Sequence, residues 1–184
     1  MESGGLTVFP AVKVNVTTKD LANQGFFQLV YDLLDRNSAS TDSLEIEIIE
    51  STIMKEPEAT IKMLKRFSDT NIIISIDDFG TGYSSLSYLS RIPASIIKID
   101  LSFITNILED DANQEIVAET INLSHALGFK TIAEGVESES ALEMLRSMGC
   151  DYAQGFYICH PLPDTEILDF FRDSKWKWKS SLQS

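Results

Sequence analysis

Ile76-Asp77-Asp78-Phe79-Gly80-Thr81-Gly82-Tyr83-Ser84-Ser85-Leu86 is the stretch that indicates how this chain folds. The residues just before it, 71–76, are mostly isoleucine, which predicts a strand buried on both faces. Asp77 and Asp78 end that strand, and the two glycines allow a tight loop after it. Aspartates at such a position also cap helices and make turns. A structural role and a ligand-binding role are therefore both open for the pair.

The bulk composition predicts one globular domain. The chain has 184 residues, of which 43% are hydrophobic, and its formal net charge is -13. This acidic excess argues against binding of DNA or another phosphate backbone. The sequence contains no run of 18 apolar residues and no basic segment followed by an apolar one near Met1, so we expect neither a membrane span nor a secretion signal, and a cytoplasmic location.

Short apolar segments alternate six times with longer segments of helical periodicity. The predicted strands are residues 11–17, 43–49, 71–77, 95–100, 130–134 and 150–156. The predicted helices are residues 19–35, 56–69, 83–91, 112–127, 138–148 and 164–173. Repeated β-α units imply a parallel sheet, either an open doubly wound sheet or a β/α barrel.

Polar residues at the carboxyl end of every predicted strand favour the barrel. An open sheet gathers its ligands at one switch point, whereas a barrel collects them from the ends of many strands. A complete barrel needs eight units, and only six fit here, so we expect an incomplete TIM-type (β/α) barrel in the α/β class. The expected boundaries are a lead-in at residues 1–10, the barrel domain at 11–173 and a flexible tail at 174–184.

The chemistry of these strand ends predicts a metal site. Four carboxylates, Glu47, Asp77, Asp78 and Glu134, would repel one another in one barrel mouth unless cations neutralised them. Together with the amide of Asn15 they are the hard oxygen ligands that Mg²⁺ or Mn²⁺ prefers. Two such ions would suit phosphodiester hydrolysis.

Lys98 lies at a strand end among these carboxylates. It could orient a metal-bound water or stabilise developing phosphate charge. A structural ion pair with Asp100 is the alternative. His125 has no acidic or cysteine partner at ligand spacing, and we expect it to pack within its helix.

Several of these motifs resemble those of the EAL domain, the family that contains the bacterial cyclic di-GMP phosphodiesterases. The matching motifs follow one another in the family's order over residues 11–172: Asp77 to Leu86, Lys98-Ile99-Asp100, Ala133-Glu134-Gly135-Val136-Glu137, Gln154-Gly155 and Pro161-Leu162-Pro163. The resemblance implies metal-dependent hydrolysis of cyclic di-GMP to linear pGpG, in a domain that belongs to a larger bacterial signalling protein.

The resemblance also implies a role for each matching position. Asn15, Glu47, Asp77 and Asp78 correspond to metal ligands, and Glu50 to the glutamate that steadies the loop after Asp77-Asp78. Lys98 corresponds to the lysine near the attacking water, and Glu134 to the proposed general base. The remaining polar positions of the site correspond to Asp100, Glu137 and Gln154.

The sequence also departs from the family pattern. The Glu-Ala-Leu tripeptide that names the family does not occur, so the first metal-ligand glutamate is missing and the domain reads as N-terminally truncated. We therefore expect weakened or lost activity, with a catalytically silent module that binds cyclic di-GMP or a protein as the alternative. A third alternative is a fragment of a longer protein whose upstream part carries the missing strands. Exposed strand edges, or the helix at 112–127, would support a homodimer.

Overall fold

The structure is a computed structural model and describes residues 11–81 and 86–173. Its sheet has six parallel strands, and their spatial order follows their order in the sequence. The strands are β1 (Val12–Asn15), β2 (Leu44–Ile49), β3 (Ile73–Phe79), β4 (Ile96–Ile99), β5 (Lys130–Ala133) and β6 (Tyr152–Ala153). A doubly wound sheet would reverse direction at a switch point, and this one does not. The incomplete TIM-type (β/α) barrel is confirmed.

Helices connect successive strands. They are α1 (Thr18–Ala22), α2 (Phe26–Arg36), α3 (Glu50–Lys55), α4 (Pro57–Ser68), α5 (Leu86–Leu89), α6 (Leu101–Ile104), α7 (Asp111–Ala126), α8 (Glu139–Ser147) and α9 (Asp164–Asp173). A short 3-10 turn at Thr41–Ser43 precedes β2. Because a crossover between adjacent parallel strands is right-handed, a sheet in sequential order carries its helices on one face.

The helix-covered face of the sheet holds the hydrophobic core. Along β2, Ile46 and Ile48 point to this face and pack with Leu64 and Phe67 of α4. A second cluster lies farther along the chain, where Ile99 of β4 packs with Val117 and Ile121 of α7 and with Leu145 of α8. Burying these side chains stabilises the sheet by about 1.5–3 kcal/mol for each residue.

The opposite face of the sheet is polar. Successive side chains along a strand alternate between faces, so Glu45 and Glu47 point away from Ile46 and Ile48. Residues paired in register share a face, and Glu47 is aligned with Asn15 on one side and with Ser75 on the other. This arrangement gathers charged side chains on the concave face that would be the interior of a barrel.

Several predicted boundaries are wrong. The helix predicted at 19–35 is two helices, because Asn23 accepts a hydrogen bond from the amide of Gly25 and turns the chain between them. The strand predicted at 150–156 is limited to β6, since the chain turns at Gln154 to pack on the loop after β5. The helices α3 and α6 were not predicted. A side-chain cap is the signal by which a helix start is recognised in a sequence, and α3 begins at the end of β2 without one.

Some predictions lie outside the described residues. These are the lead-in at 1–10, the tail at 174–184, and the part of the loop from Gly82 to Ser85 with the start of the helix predicted at 83–91. Within the described part of that loop, Gly80 has a φ of 97°, which confirms the expected need for glycine at this position.

Candidate active site

Lys98 is the centre of the candidate site. Its Nζ lies 2.8 Å from Asp77 Oδ1, 2.8 Å from Glu134 Oε1 and 2.9 Å from Glu47 Oε1, and the lysine is only 3% exposed. The three carboxylates come from β3, the residue after β5, and β2. The alternative ion pair of Lys98 with Asp100 is not what the structure shows, because Asp100 instead caps α6 by accepting a hydrogen bond from the amide of Ser102.

Three carboxylates beside this lysine form a group that could hold a cation. Asp77, Asp78 and Glu134 each offer one oxygen, and these three atoms lie within 4.8 Å of one another. All three side chains are partly exposed. Such a set of carboxylate oxygens fits a hard divalent cation.

The backbone at the end of β3 places Asp78. This residue has a φ of 53°, a left-handed conformation that is uncommon for any residue other than glycine and is tolerated by aspartate. The amide of Asp78 donates to Asp77 Oδ1 at 3.2 Å, and the register between β3 and β4 shifts over Ile76 to Phe79. The resulting bulge allows two consecutive aspartates to serve one site, although side chains of a regular strand point to opposite faces.

Glu50 holds the loop that follows. It is the first residue of α3, is buried, and accepts a hydrogen bond through Oε2 from the amide of Gly80 at 3.0 Å. This contact ties the loop after β3 to the start of α3. The loop-stabilising role expected for Glu50 stays a prediction.

The electrostatics of the site favour a charged lysine and a weakly acidic glutamate. Burial disfavours the ammonium of Lys98, but its contacts with Asp77, Glu134 and Glu47 outweigh this and raise its pKa. Burial raises the pKa of Glu134; Lys98 opposes this shift, and the charges of Asp77 and Glu47 add to it.

Asp78 is shifted in the same direction as Glu134. Burial raises its pKa, and the negative charges of Asp77 and Asp100 raise it further, against the opposing charge of Lys98. Repulsion of this kind among carboxylates is relieved when a cation binds between them.

The loops after β5 and β6 are locked together by their backbones. The amide of Val136 donates to the carbonyl of Gln154 at 3.0 Å, and the amide of Tyr157 donates to the carbonyl of Val136 at 3.0 Å. Gly155 lies so close that a Cβ there would be 2.2 Å from the Val136 oxygen. This packing fixes the segment that starts at Glu134.

The other predicted site residues lie around this centre. Asn15 ends β1 beside Glu47, and its side chain is exposed. Glu137 and Gln154 are exposed in the loops after β5 and β6, and Glu137 lines a shallow depression with Thr105 and Ser138. The structure thus brings Glu47, Asp77, Asp78 and Glu134 to Lys98, places Asn15 and Asp100 next to them, and leaves Glu137 and Gln154 at the rim.

Lys13 and Glu45, two charged residues on the polar face of the sheet, were not predicted as residues of the site. Lys13 of β1 lies 3.3 Å from Glu45 Oε1 and 3.4 Å from Glu47 Oε1. The only available signal was the alternation of Glu45 and Glu47 along a strand, because the position of Lys13 depends on the pairing of β1 with β2.

A separate polar cluster lies near the start of β5. Asp151 accepts hydrogen bonds from Lys130 Nζ at 2.7 Å and from the amide of Thr131 at 2.9 Å, and it lies 2.7 Å from His125 Nε2. The packing role expected for His125 is wrong: its side chain is exposed and pairs with this carboxylate. The cluster joins α7 to the start of β5 and is distinct from the Lys98 site.

Comparison with protein families matches residues 3–161 to the EAL domain. The chain belongs to the EAL domain family. A similar protein is the bifunctional diguanylate cyclase/cyclic di-GMP phosphodiesterase MucR of Pseudomonas aeruginosa, which is 40% identical to this chain over 157 residues. That match covers 85% of this chain and 23% of MucR.

Solved structures of EAL proteins share the fold. The complex of the PaMucR phosphodiesterase with c-di-GMP has a TM-score of 0.82 at 39% identity, over 85% of this chain and 64% of that one. Klebsiella pneumoniae BlrP1 with manganese and cyclic di-GMP has a TM-score of 0.76 at 30% identity, over 82% of this chain and 39% of BlrP1. A further BlrP1 complex contains calcium.

The chain spans about a quarter of the length of MucR and a similar share of its other curated relatives. EAL domains thus occur as parts of larger proteins. No helix within residues 11–81 and 86–173 is both long and apolar enough to cross a bilayer. A cytoplasmic location stays a prediction.

Proposed function

We propose that this EAL domain hydrolyses cyclic di-GMP to linear pGpG with the help of divalent cations. The observation that carries the proposal is the group of Asp77, Asp78 and Glu134, whose oxygens lie within 4.8 Å of one another beside the buried Lys98. The cyclic di-GMP phosphodiesterases among the relatives support the substrate.

The donor set suits Mg²⁺ or Mn²⁺, because both ions prefer oxygen ligands and carboxylates. Asp77 and Asp78 would hold the cation with Glu134, and Glu47 and Asn15 are the next oxygens available on the same face. When bound, the cations offset the charge of the phosphate and lower the pKa of water. They would also allow a chain with a net charge of -13 to hold an anionic dinucleotide.

Lys98 and Glu134 supply the proton chemistry that belongs to the chain itself. In the proposed reaction water attacks one of the two phosphodiester groups, and one P–O bond breaks to leave the linear product. Glu134, whose Oε1 lies beside Lys98 Nζ, accepts the proton of water at its carboxylate and returns it to the oxygen that leaves phosphorus. Lys98, which remains charged, orients the water and stabilises negative charge on the phosphate.

The test is product analysis with the purified chain. Cyclic di-GMP is incubated with protein and Mg²⁺ or Mn²⁺, and the nucleotides are separated by chromatography, with Glu134→Gln as the control. We expect pGpG from the parent and a rate lower by at least about 100-fold from the variant. Absence of pGpG from folded protein would contradict hydrolysis, and retained binding of cyclic di-GMP in that case would support the silent binding module.

We also propose that the chain self-associates through its β1 edge. Within the described residues β1 pairs only with β2, and Val12 and Val14 are exposed, Val12 at 66%. An unpaired apolar strand edge favours association with another strand. Sedimentation should therefore show a dimer that Val12→Lys disrupts. A second possible surface is α7, where Ile116 is exposed, and disruption by Ile116→Lys instead would place the contact there.

A further inference from the structure

Lys13 contacts the site from the neighbouring strand. It lies on β1 directly opposite Glu45 in register, two residues before Asn15, and therefore shares the polar face of the sheet. Its Nζ is 3.3 Å from Glu45 Oε1 and 3.4 Å from Glu47 Oε1. Its own side chain is one-third exposed, whereas both glutamates are buried.

Glu45 depends on this lysine for its countercharge. Among the described residues, Lys13 is the cation within 4 Å of Glu45, and Glu45 Oε1 accepts no hydrogen bond there. A buried carboxylate without a cation is strongly unfavourable. Part of the charge of Lys13 is therefore committed to Glu45.

Glu47 is shared by two lysines. Its Oε1 lies 3.4 Å from Lys13 Nζ and 2.9 Å from Lys98 Nζ. Both contacts are ion pairs, and neither has the geometry of a hydrogen bond. Lys98 also serves Asp77 and Glu134. Charges of alternating sign thus run from Glu45 through Lys13, Glu47 and Lys98 to the carboxylates that could hold a cation.

Lys98 competes with any divalent cation, because it neutralises two of the three candidate ligands. The strength of this competition depends on how strongly Glu47 attracts the ammonium of Lys98 away from Asp77 and Glu134. We propose that Lys13 is a positioning residue that limits the divalent-cation affinity of the Asp77, Asp78 and Glu134 cluster, by neutralising part of Glu47 and so keeping Lys98 directed to Asp77 and Glu134. This inference rests on the proposed function in one respect only, the binding of a divalent cation at this cluster.

The test is calorimetric titration of the purified chain with Mn²⁺ in the absence of nucleotide. Lys13→Met should bind Mn²⁺ about fivefold more tightly than the parent, because a positive charge has been removed and Glu47 then draws on Lys98. Lys13→Arg keeps the charge and should stay within about twofold of the parent. Lys65→Met, on the exposed surface of α4, makes the same change in net charge and should leave the affinity unchanged.

A second pair of variants distinguishes the contact of Lys13 with Glu47 from its contact with Glu45. Glu45→Gln removes the carboxylate that Lys13 neutralises, and Lys13→Met with Glu45→Gln removes both partners, so that neither is left as a buried charge without the other. We expect the double variant to keep the parent melting temperature within a few degrees and to bind Mn²⁺ more tightly than Glu45→Gln does. Equal affinities in these two proteins would show that Lys13 serves only Glu45 and would overturn the inference.

The remaining outcomes are also decisive. Unchanged or weaker Mn²⁺ binding by Lys13→Met overturns the inference, and so does the absence of Mn²⁺ binding in every variant. Tighter binding by Lys13→Met in a protein that forms no pGpG supports the inference and contradicts the hydrolytic function. The two proposals therefore fail separately.

Discussion

Lys98 Nζ and Glu134 Oε1 are 2.8 Å apart, although the two residues come from the ends of neighbouring strands and lie 36 positions apart in the chain. Lys98 is paired in register with Ile132 of β5, and Glu134 lies two positions beyond Ile132, just after the end of that strand. The parallel register therefore brings the cation and the carboxylate into contact without any loop rearrangement. Such a preformed pair is suited to catalysis, because its geometry need not be assembled when substrate binds.

Replacement of Lys98 should destabilise the metal-free chain. Lys98→Met leaves Glu47, Asp77 and Glu134 without their shared cation, and removal of one partner of a buried pair costs about 3–5 kcal/mol. Chemical denaturation without metal measures the loss, and added Mn²⁺ should recover more stability in this variant than in the parent. A variant as stable as the parent would show that the lysine is not needed to neutralise the site.

Loss of the Glu50 side chain should loosen the loop that carries Asp78. Glu50→Ala removes the acceptor of the Gly80 amide and should cost about 1–3 kcal/mol. Glu50→Gln retains an oxygen acceptor and should lose less. Denaturation gives the stabilities, and Mn²⁺ titration should show weaker binding by Glu50→Ala than by Glu50→Gln. Equal Mn²⁺ affinities in the two variants would argue that this loop does not position the ligands.

Two glycine substitutions should differ because their causes of strain differ. A Cβ at Gly155 would lie 2.2 Å from the Val136 oxygen and 2.3 Å from its nitrogen, and backbone atoms cannot move aside as a flexible side chain can. Gly155→Ala should therefore cost about 3 kcal/mol or more.

Gly149 is the matched control, since its φ is 88° and nothing lies within 4 Å of the position that a methyl group would occupy there. Gly149→Ala should cost only the backbone strain, about 1–2 kcal/mol. Thermal and chemical denaturation of both variants gives their losses in unfolding free energy. A larger loss in Gly149→Ala than in Gly155→Ala would contradict this prediction.

The Asp151 cluster should contribute to stability in a defined pH range. Burial opposes the charged form of Asp151, but contacts with Lys130, His125 and Thr131 outweigh this and lower its pKa to about 2. A folded-state pKa below the usual value of 3.8 stabilises the fold above about pH 4, and this contribution is lost as the pH falls towards 2. It amounts to about 2 kcal/mol at neutral pH.

The measurement compares unfolding free energies of the parent and Asp151→Asn from pH 6 down to pH 2. Because other carboxylates titrate in both proteins, the difference between the two curves isolates Asp151. That difference should shrink below about pH 4. A difference that stays constant over this range would show that the charge of Asp151 does not stabilise the fold.

All six strands could be predicted from the sequence, because short apolar segments such as the isoleucine-rich residues 71–76 strongly favour burial within a sheet. The convergence of polar residues on one edge followed from the rule that parallel strands align their carboxyl ends. Predictions of the ends of elements were less accurate. The break of the helix predicted at 19–35 depends on one side-chain hydrogen bond, between Asn23 and Gly25.

The partners within the site could not be predicted in the same way. The ion pairs of Lys98 depend on register, and register arises from pairing among several strands. The positive φ of Asp78 depends on the bulge between β3 and β4. No residue type near Asp78 predicts this bulge. The importance of Lys13 could not be predicted either, because it depends on the position of this residue opposite Glu45 in the paired strands.

The order of the strands also has a consequence for how the chain acquires its structure. Among residues 11–81 and 86–173, each strand pairs only with strands adjacent in the sequence, so the chain between two partners there is one connection long, such as that from Asn15 to Leu44. The entropy lost in closing each such loop is small and does not grow as the sheet widens. The sheet can therefore extend one strand at a time from its amino-terminal side, in the direction in which a ribosome delivers the chain.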